Sequence, residues 1–115
     1  IQYLGPVFGD EKRDLFARSG AFILPSKGEG LPTAVLEAWR DGSFVIMSKE
    51  CNFPSNVYNH ACLEVGLNKE SIMSSLVQYF ELNKIERDRY RNNAKNELAN
   101  YSWINIANKI LNNIK

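Results

Sequence analysis

Two carboxylates and two glycines within one short stretch are the residues best suited to chemistry. In Pro25-Ser26-Lys27-Gly28-Glu29-Gly30-Leu31-Pro32-Thr33 the chain leaves an apolar run, turns on Gly28 and Gly30 around Glu29, and enters a helical pattern that carries Glu37. Lacking a Cβ, the two glycines let backbone approach a ligand closely. The first N–H groups of the helix that follows have no partner within it and point outward with the positive end of its dipole, a place suited to a diphosphate. On a helical wheel over Pro32 to Asp41, Leu31, Val35, Leu36, Ala38 and Trp39 share one arc. Thr33, Glu37, Arg40 and Asp41 share the opposite one, so Glu37 avoids the core one turn below Thr33. Two acceptor-only carboxylates can then address the hydroxyls of one ligand, and sugar rings and riboses present hydroxyls. Singly, each feature has an ordinary reading: a common strand-to-helix turn, a turn acid favoured by the helix dipole, and a solvated helix residue near Arg40. Their joint arrangement is what points to a site.

The elements that must position these residues alternate along the chain. Gln2-Tyr3-Leu4 reads as a short strand stopped by Gly5-Pro6, and Asp10 as the N-cap of a helix that turns Leu15 and Phe16 inward and ends at Gly20. Ala21-Phe22-Ile23-Leu24 and Phe44-Val45-Ile46-Met47 are continuous apolar runs, the pattern of strands buried on both faces. Between them a helix spans Pro32 to Asp41, with Pro32 at its first position and Gly42 just past its last turn. A weak strand is expected near Cys62-Leu63-Glu64-Val65. Asn68 then begins a helix with Ile72, Leu76, Tyr79 and Phe80 on one face, and a polar surface helix covers Lys84 to Asn100. Ser102 caps a final helix whose Trp103, Ile106, Ala107, Ile110, Leu111 and Ile114 form an apolar stripe. The expected fold class is therefore α/β, a Rossmann-like parallel sheet with flanking helices. Such sheets bind ligands beyond the carboxyl ends of their strands, which singles out the loops Gly5 to Asp10, Ser26 to Leu31 and Ser48 to Ser55.

Composition narrows the partners. At 115 residues and 44% hydrophobic content the chain suits one domain with one modest core. Fourteen basic and 13 acidic residues are scattered along its length, leaving no basic footprint for nucleic acid and no polybasic membrane patch. Cys51, Cys62 and the single His60 do not make a tetrahedral metal set, and no dense disulfide framework exists. No apolar run approaches the roughly 20 residues that span a bilayer. A cytoplasmic setting is expected, and the opening at Ile1, without Met or a polar lead-in, reads as a piece of something longer.

Leu24-Pro25-Ser26-Lys27-Gly28-Glu29-Gly30-Leu31-Pro32-Thr33-Ala34-Val35-Leu36-Glu37-Ala38 closely resembles the E-x7-E signature of family 4 retaining glycosyltransferases, which have the GT-B fold. The resemblance extends back through Tyr3-Leu4-Gly5-Pro6, Glu11-Lys12 and Leu15-Phe16, and forward through Gly42 and Val45-Ile46 to Ser102-Trp103. It implies that residues 1–115 are the C-terminal portion of a nucleotide-sugar-binding domain, the acceptor domain and first strands being absent. It implies roles too. Glu29 would be the catalytic-site carboxylate that binds a hydroxyl of the transferred sugar, helped by backbone N–H groups at Gly30 and Leu31. Thr33 and Ala34 would hold the diphosphate through their N–H groups, Glu37 the ribose, and Gly5, Pro6 and Val7 would lie beside the base. The implied reaction moves a sugar from a UDP- or GDP-sugar to a glycan or lipid-linked acceptor with retained configuration. Neither metal nor cofactor is expected. In the full-length protein a peripheral position at the inner membrane face fits the family, as does a role in polysaccharide biosynthesis.

The same resemblance implies that a basic pair, Arg and Lys, precedes the region covered here, so this fragment alone is expected to be inactive. Lys12 and Lys27 are read as exposed charges, His60 as a surface residue, and Cys62 as core; Cys51 lies in a candidate ligand loop but has no partner base. Ser55 stands where relatives commonly place Glu, and Gly42-Ser43-Phe44 lacks the Pro often found there, departures that bear on donor specificity and strand position. Self-association of the fragment is expected, since the sheet would have an unnatural edge and the final helix a bare apolar stripe. Two rivals are a GT-B-type sugar-nucleotide epimerase, which usually carries Ser-Gly-Gly where this chain has Ser26-Lys27-Gly28, and a non-catalytic flavodoxin-like binding module. The latter would show an acidic residue where Gly5-Pro6 stands.

Overall fold

The computed structural model describes residues 5, 7–28 and 33–101. The expected strand at Gln2-Tyr3-Leu4, the positions Pro6, Glu29, Gly30, Leu31 and Pro32, and the final helix from Ser102 lie outside the described residues.

Among the described residues, three strands form a parallel sheet in the order β1 (Ala21–Leu24), β2 (Phe44–Met47) and β3 (Leu63–Glu64). The register pairs Ala21 with Phe44 through Leu24 with Met47, and Ile46 with Leu63. Strand β2 is central and all four of its residues are buried, which explains its unbroken apolar run. Its side chains alternate between two cores. Val45 and Met47 join Phe16, Val35, Ala38, Trp39, Cys51 and Ala94 on one face, where Phe22 and Leu24 of β1 also pack. Phe44 and Ile46 join Leu63, Val65 and Tyr79 on the other, with Ala21, Ile23, Ile72 and Leu76 against them. A four-residue apolar strand thus supplies both layers, as the period-two geometry of a strand requires. The expected α/β sheet with flanking helices is the observed architecture, and the weak strand predicted around Cys62 to Val65 is β3.

Among the described residues, four α-helices cover the sheet: α1 (Gly9–Arg18), α2 (Thr33–Arg40), α3 (Lys69–Glu81) and α4 (Lys84–Leu98). Asp10 is not the N-cap of α1. Phe8 holds that position without a side-chain cap bond, and Asp10 and Glu11 sit inside the first turn, where the helix dipole favours their charge. The helix does end at Gly20, as expected: Ser19 is its C-cap, its N–H donating to the Leu15 carbonyl at 2.9 Å, and Gly20 follows directly. Helix α2 ends as its sequence predicts. Gly42 has φ +85°, its N–H donates to the Trp39 carbonyl at 3.2 Å, and the Ser43 N–H reaches the Ala38 carbonyl at 2.9 Å, the paired bonds of a Schellman turn. Asn68 caps α3 by accepting from the Ser71 N–H at 2.7 Å.

The inward face of α3 needs a correction. Tyr79 is buried, and Ile72 and Leu76 pack on the core, but Phe80 is 72% exposed, since it follows Tyr79 by one residue and points about 100° away. The Tyr79 hydroxyl instead ties α3 to the sheet by donating to the Gly20 carbonyl at 2.8 Å. The polar helix α4 begins on a capping box in which Asn83 and Glu86 exchange side-chain-to-backbone bonds of 2.8 and 3.0 Å. It is more than a surface cover. Ala94 is buried against one core and Tyr90 packs on the other, while Arg87 lies 4.2 Å from the Tyr79 ring centre and donates to the Tyr79 carbonyl.

Candidate functional site

Parallel strands place the segments after β1 and β2 side by side at one end of the sheet, and α2 starts from that end. The segment after β1 begins with a tight turn in which the Ser26 Oγ accepts from the Gly28 N–H at 3.3 Å. Among the residues expected to hold a diphosphate, Thr33 is exposed at the start of α2 and Ala34 is half-buried beneath it. Gly5, expected beside a base, has φ +70°, and Val7 is half-buried. Glu29, Gly30 and Leu31 fall outside the described residues, so the geometry of the site rests on its flanks.

Glu37 sits as its helical phase predicts, off the core side of α2, where Val35, Ala38 and Trp39 are buried. Its carboxylate is not simply solvated. Helix α1 packs beside α2, and the Lys12 Nζ lies 2.8 Å from the Glu37 Oε2, the two side chains retaining 37% and 27% of their exposure. Lys12 is therefore not the free surface charge expected of it. A second cation near this carboxylate, Arg40, bonds to Asp41: its Nε and Nη2 donate to the two Asp41 oxygens at 3.1 and 3.0 Å. Those hydrogen bonds, aided by the charges of Asp41 and Glu37, raise the Arg40 pKa above its ordinary value.

A second set of contacts steadies the turn ahead of the motif. Ser48, wholly buried just after β2, donates its hydroxyl to the Ser26 carbonyl at 2.6 Å and its N–H to the Leu24 carbonyl at 3.2 Å. The Tyr58 hydroxyl donates in turn to the Ser48 carbonyl at 2.9 Å, and burial pushes its pKa up to about 12. Cys51 is buried beside them, its Sγ 3.8 Å from the Leu24 carbonyl, and does not present itself to a ligand. The first residues after β1 and after β2 are thus joined by hydrogen bonds. Beyond them, Lys49, Phe53, Ser55, Tyr58 and Glu64 line an open depression of ≈ 270 Å³, with the Lys49 Nζ 3.8 Å from the Glu64 Oε2. His60 is exposed, and its carbonyl accepts from Asn93 at 2.9 Å.

Sequence reasoning missed Ser48, Tyr58 and the pairing of Lys12. A signal for Ser48 existed, a polar residue directly ending a buried strand, whose hydroxyl needs a partner there. For Lys12 there was none, because its partner lies 25 residues along the chain on another helix.

Residues 1–97 match the family model described as glycosyl transferases group 1. The chain is also 26% identical over 112 residues to the phosphatidylinositol N-acetylglucosaminyltransferase gpi3 subunit of Schizosaccharomyces pombe, a match covering 95% of this chain and 24% of that protein. It thus spans about a quarter of the length of the curated relative it matches. With a parallel α/β sheet, a helix starting at the carboxyl end of β1 and a family match over most of its length, this chain belongs to the group 1 glycosyl transferases.

Proposed function

We propose that this chain forms part of the donor site of a retaining glycosyltransferase with the GT-B architecture, acting within a longer enzyme whose other domain binds the acceptor. The observation that carries the reading is Glu37: a half-buried carboxylate, off the core, one turn from the start of α2. A carboxylate there accepts hydroxyl donors and would repel a phosphate, so it suits the ribose rather than the diphosphate. The diphosphate then falls to the N–H groups at Thr33 and Ala34, where the helix start favours negative charge. Glu29, with the Gly30 and Leu31 N–H groups, takes the transferred sugar, and Gly5, Pro6 and Val7 border the base.

In this reading the chemistry is departure of a nucleoside diphosphate with attack from the same face of the sugar. The part played by this chain is to stabilise the charge developing on the leaving diphosphate through preorganised N–H dipoles. The donor is a UDP- or GDP-sugar, and no metal is assigned a role. The name of the yeast relative makes N-acetylglucosamine a sugar to test first, and a lipid-linked or glycan acceptor the class to test with it.

The experiment is calorimetric titration of the full-length protein with UDP, GDP and their sugar conjugates, repeated with Glu37→Ala. Binding of one nucleotide, weakened by about tenfold or more in the variant, is the expected outcome, as for a lost hydrogen bond to a charged group. Failure of the full-length protein to bind any of them overturns the reading.

A further inference from the structure

Resting on the ribose role of Glu37, we propose that Lys12 is a positioning residue of the donor site, holding the Glu37 carboxylate in the orientation that reads the ribose hydroxyls. The pair is short, 2.8 Å from Nζ to Oε2, and joins two helices rather than two turns of one. A half-exposed ion pair of this kind adds only modestly to stability, so its effect is felt chiefly in where the carboxylate points. A glutamate on a helix face otherwise samples several rotamers, and a ligand must freeze one of them on binding. Lys12 freezes it beforehand. A carboxylate has about four acceptor positions, so one bond to Nζ leaves Oε1 and the remaining lone pairs for hydroxyl donors. Arg40 is turned toward Asp41 instead, its Nε and Nη2 donating to the two Asp41 oxygens. Lys12 also stands on α1, which follows directly on Gly5 and Val7, so it links the segment proposed to border the base with the residue proposed to hold the ribose.

The test is calorimetric titration of the full-length protein with UDP, GDP and their 2′-deoxy counterparts, using Lys12→Met, Lys12→Arg and Glu37→Gln. The ratio of ribo to deoxy affinity is a readout that a purely structural role would leave unmoved. We expect Lys12→Met to reduce that ratio by about fivefold through loss of ribo affinity, with deoxy affinity nearly unchanged. Lys12→Arg restores it. Equal weakening of both nucleotides by Lys12→Met would place Lys12 on the diphosphate and overturn the proposal, as would an unchanged or tighter ribo affinity. If Glu37→Gln itself leaves the ratio untouched, the ribose role of Glu37 falls and this proposal with it; an effect of Glu37→Gln without one of Lys12→Met overturns the proposal alone.

Discussion

The Cys62 thiol is wholly buried beside the sheet, 3.9 Å from the Val57 carbonyl, and burial is the main reason that its pKa rises from 9.0 to about 12. The thiolate is thereby disfavoured in the folded chain but not in the unfolded one. Its contribution to stability is complete below pH 9.0 and is lost as the pH climbs through the window up to about 12. Tyr58, raised from 10.0 to about 12 by its own burial, acts in the same direction over an overlapping window. Urea unfolding midpoints should therefore hold level from about pH 7 to 8 and fall steeply above about pH 9, and Cys62→Ala should flatten part of that fall whatever its effect at neutral pH. A native midpoint that stays level up to about pH 11 would contradict the burial argument. The same enclosure separates Cys62 and Cys51 from function: both are core residues, although one of them sits in a loop that sequence position alone nominates for ligand contact.

At the level of elements, what matters is how each helix is stopped and tied. Helix α2 carries both Thr33 and Glu37, and its far end is set by Gly42 in the left-handed region at φ +85°. Among the described residues other than its chain neighbours, no atom lies within 4 Å of where a Cβ would stand, so the cost of a side chain there is conformational rather than steric crowding. Gly42→Ala is expected to destabilise the chain by about 1–2 kcal/mol, measurable as a lower urea midpoint with an unchanged slope. At its near end the helix is reached through a turn that Ser48 anchors from the neighbouring strand by its 2.6 Å bond to the Ser26 carbonyl. Loops between a strand and a helix are where parallel sheets place ligands, and here the start of the loop, at Ser26, is braced from the residue that follows β2. Helix α1 adds the third tie through Lys12 and Glu37.

Across the whole molecule, the sheet is thin but covered on both faces, and β2 is its common wall. Ile46 has no exposed surface and sits between β1 and β3, packed with Phe44, Leu63 and Tyr79. Ile46→Ala should cost about 2–5 kcal/mol in chemical denaturation, a large share of the stability of a small domain. Phe80→Ala, on the outer face of α3, should change it by no more than about 0.5 kcal/mol. The comparison checks the assignment of faces, because the two residues are both large and apolar and differ in where the fold puts them. Comparable losses from both would mean that α3 is rotated relative to the sheet. The helix is held against such rotation by Tyr79, whose hydroxyl reaches Gly20 and whose ring packs between Phe44 and the Arg87 guanidinium.

Much of this architecture is local in origin and therefore legible in the chain. Ala21–Leu24 and Phe44–Met47 are too short for helices, apolar throughout, and flanked by Gly20, Pro25 and Gly42, which leaves a parallel strand as the consistent assignment, although the burial expected of both holds only for Phe44–Met47, Ala21–Leu24 being half-buried. The period of α2 placed Glu37 off the core, and Asn68 and Gly42 marked helix boundaries through their own backbone preferences. Where local signals were weak, the fold decided: Asp10 competed with an earlier start and entered the first turn, and Phe80 lost the inward position to its neighbour Tyr79. The contacts that shape the candidate site belong wholly to tertiary structure. Lys12 meets Glu37, Ser48 meets Ser26 and Tyr58 meets Ser48 across separations that periodicity does not encode. Helical and strand periods specify which face a side chain takes, while the partner on that face depends on how twisted strands and packed helices bring distant segments together.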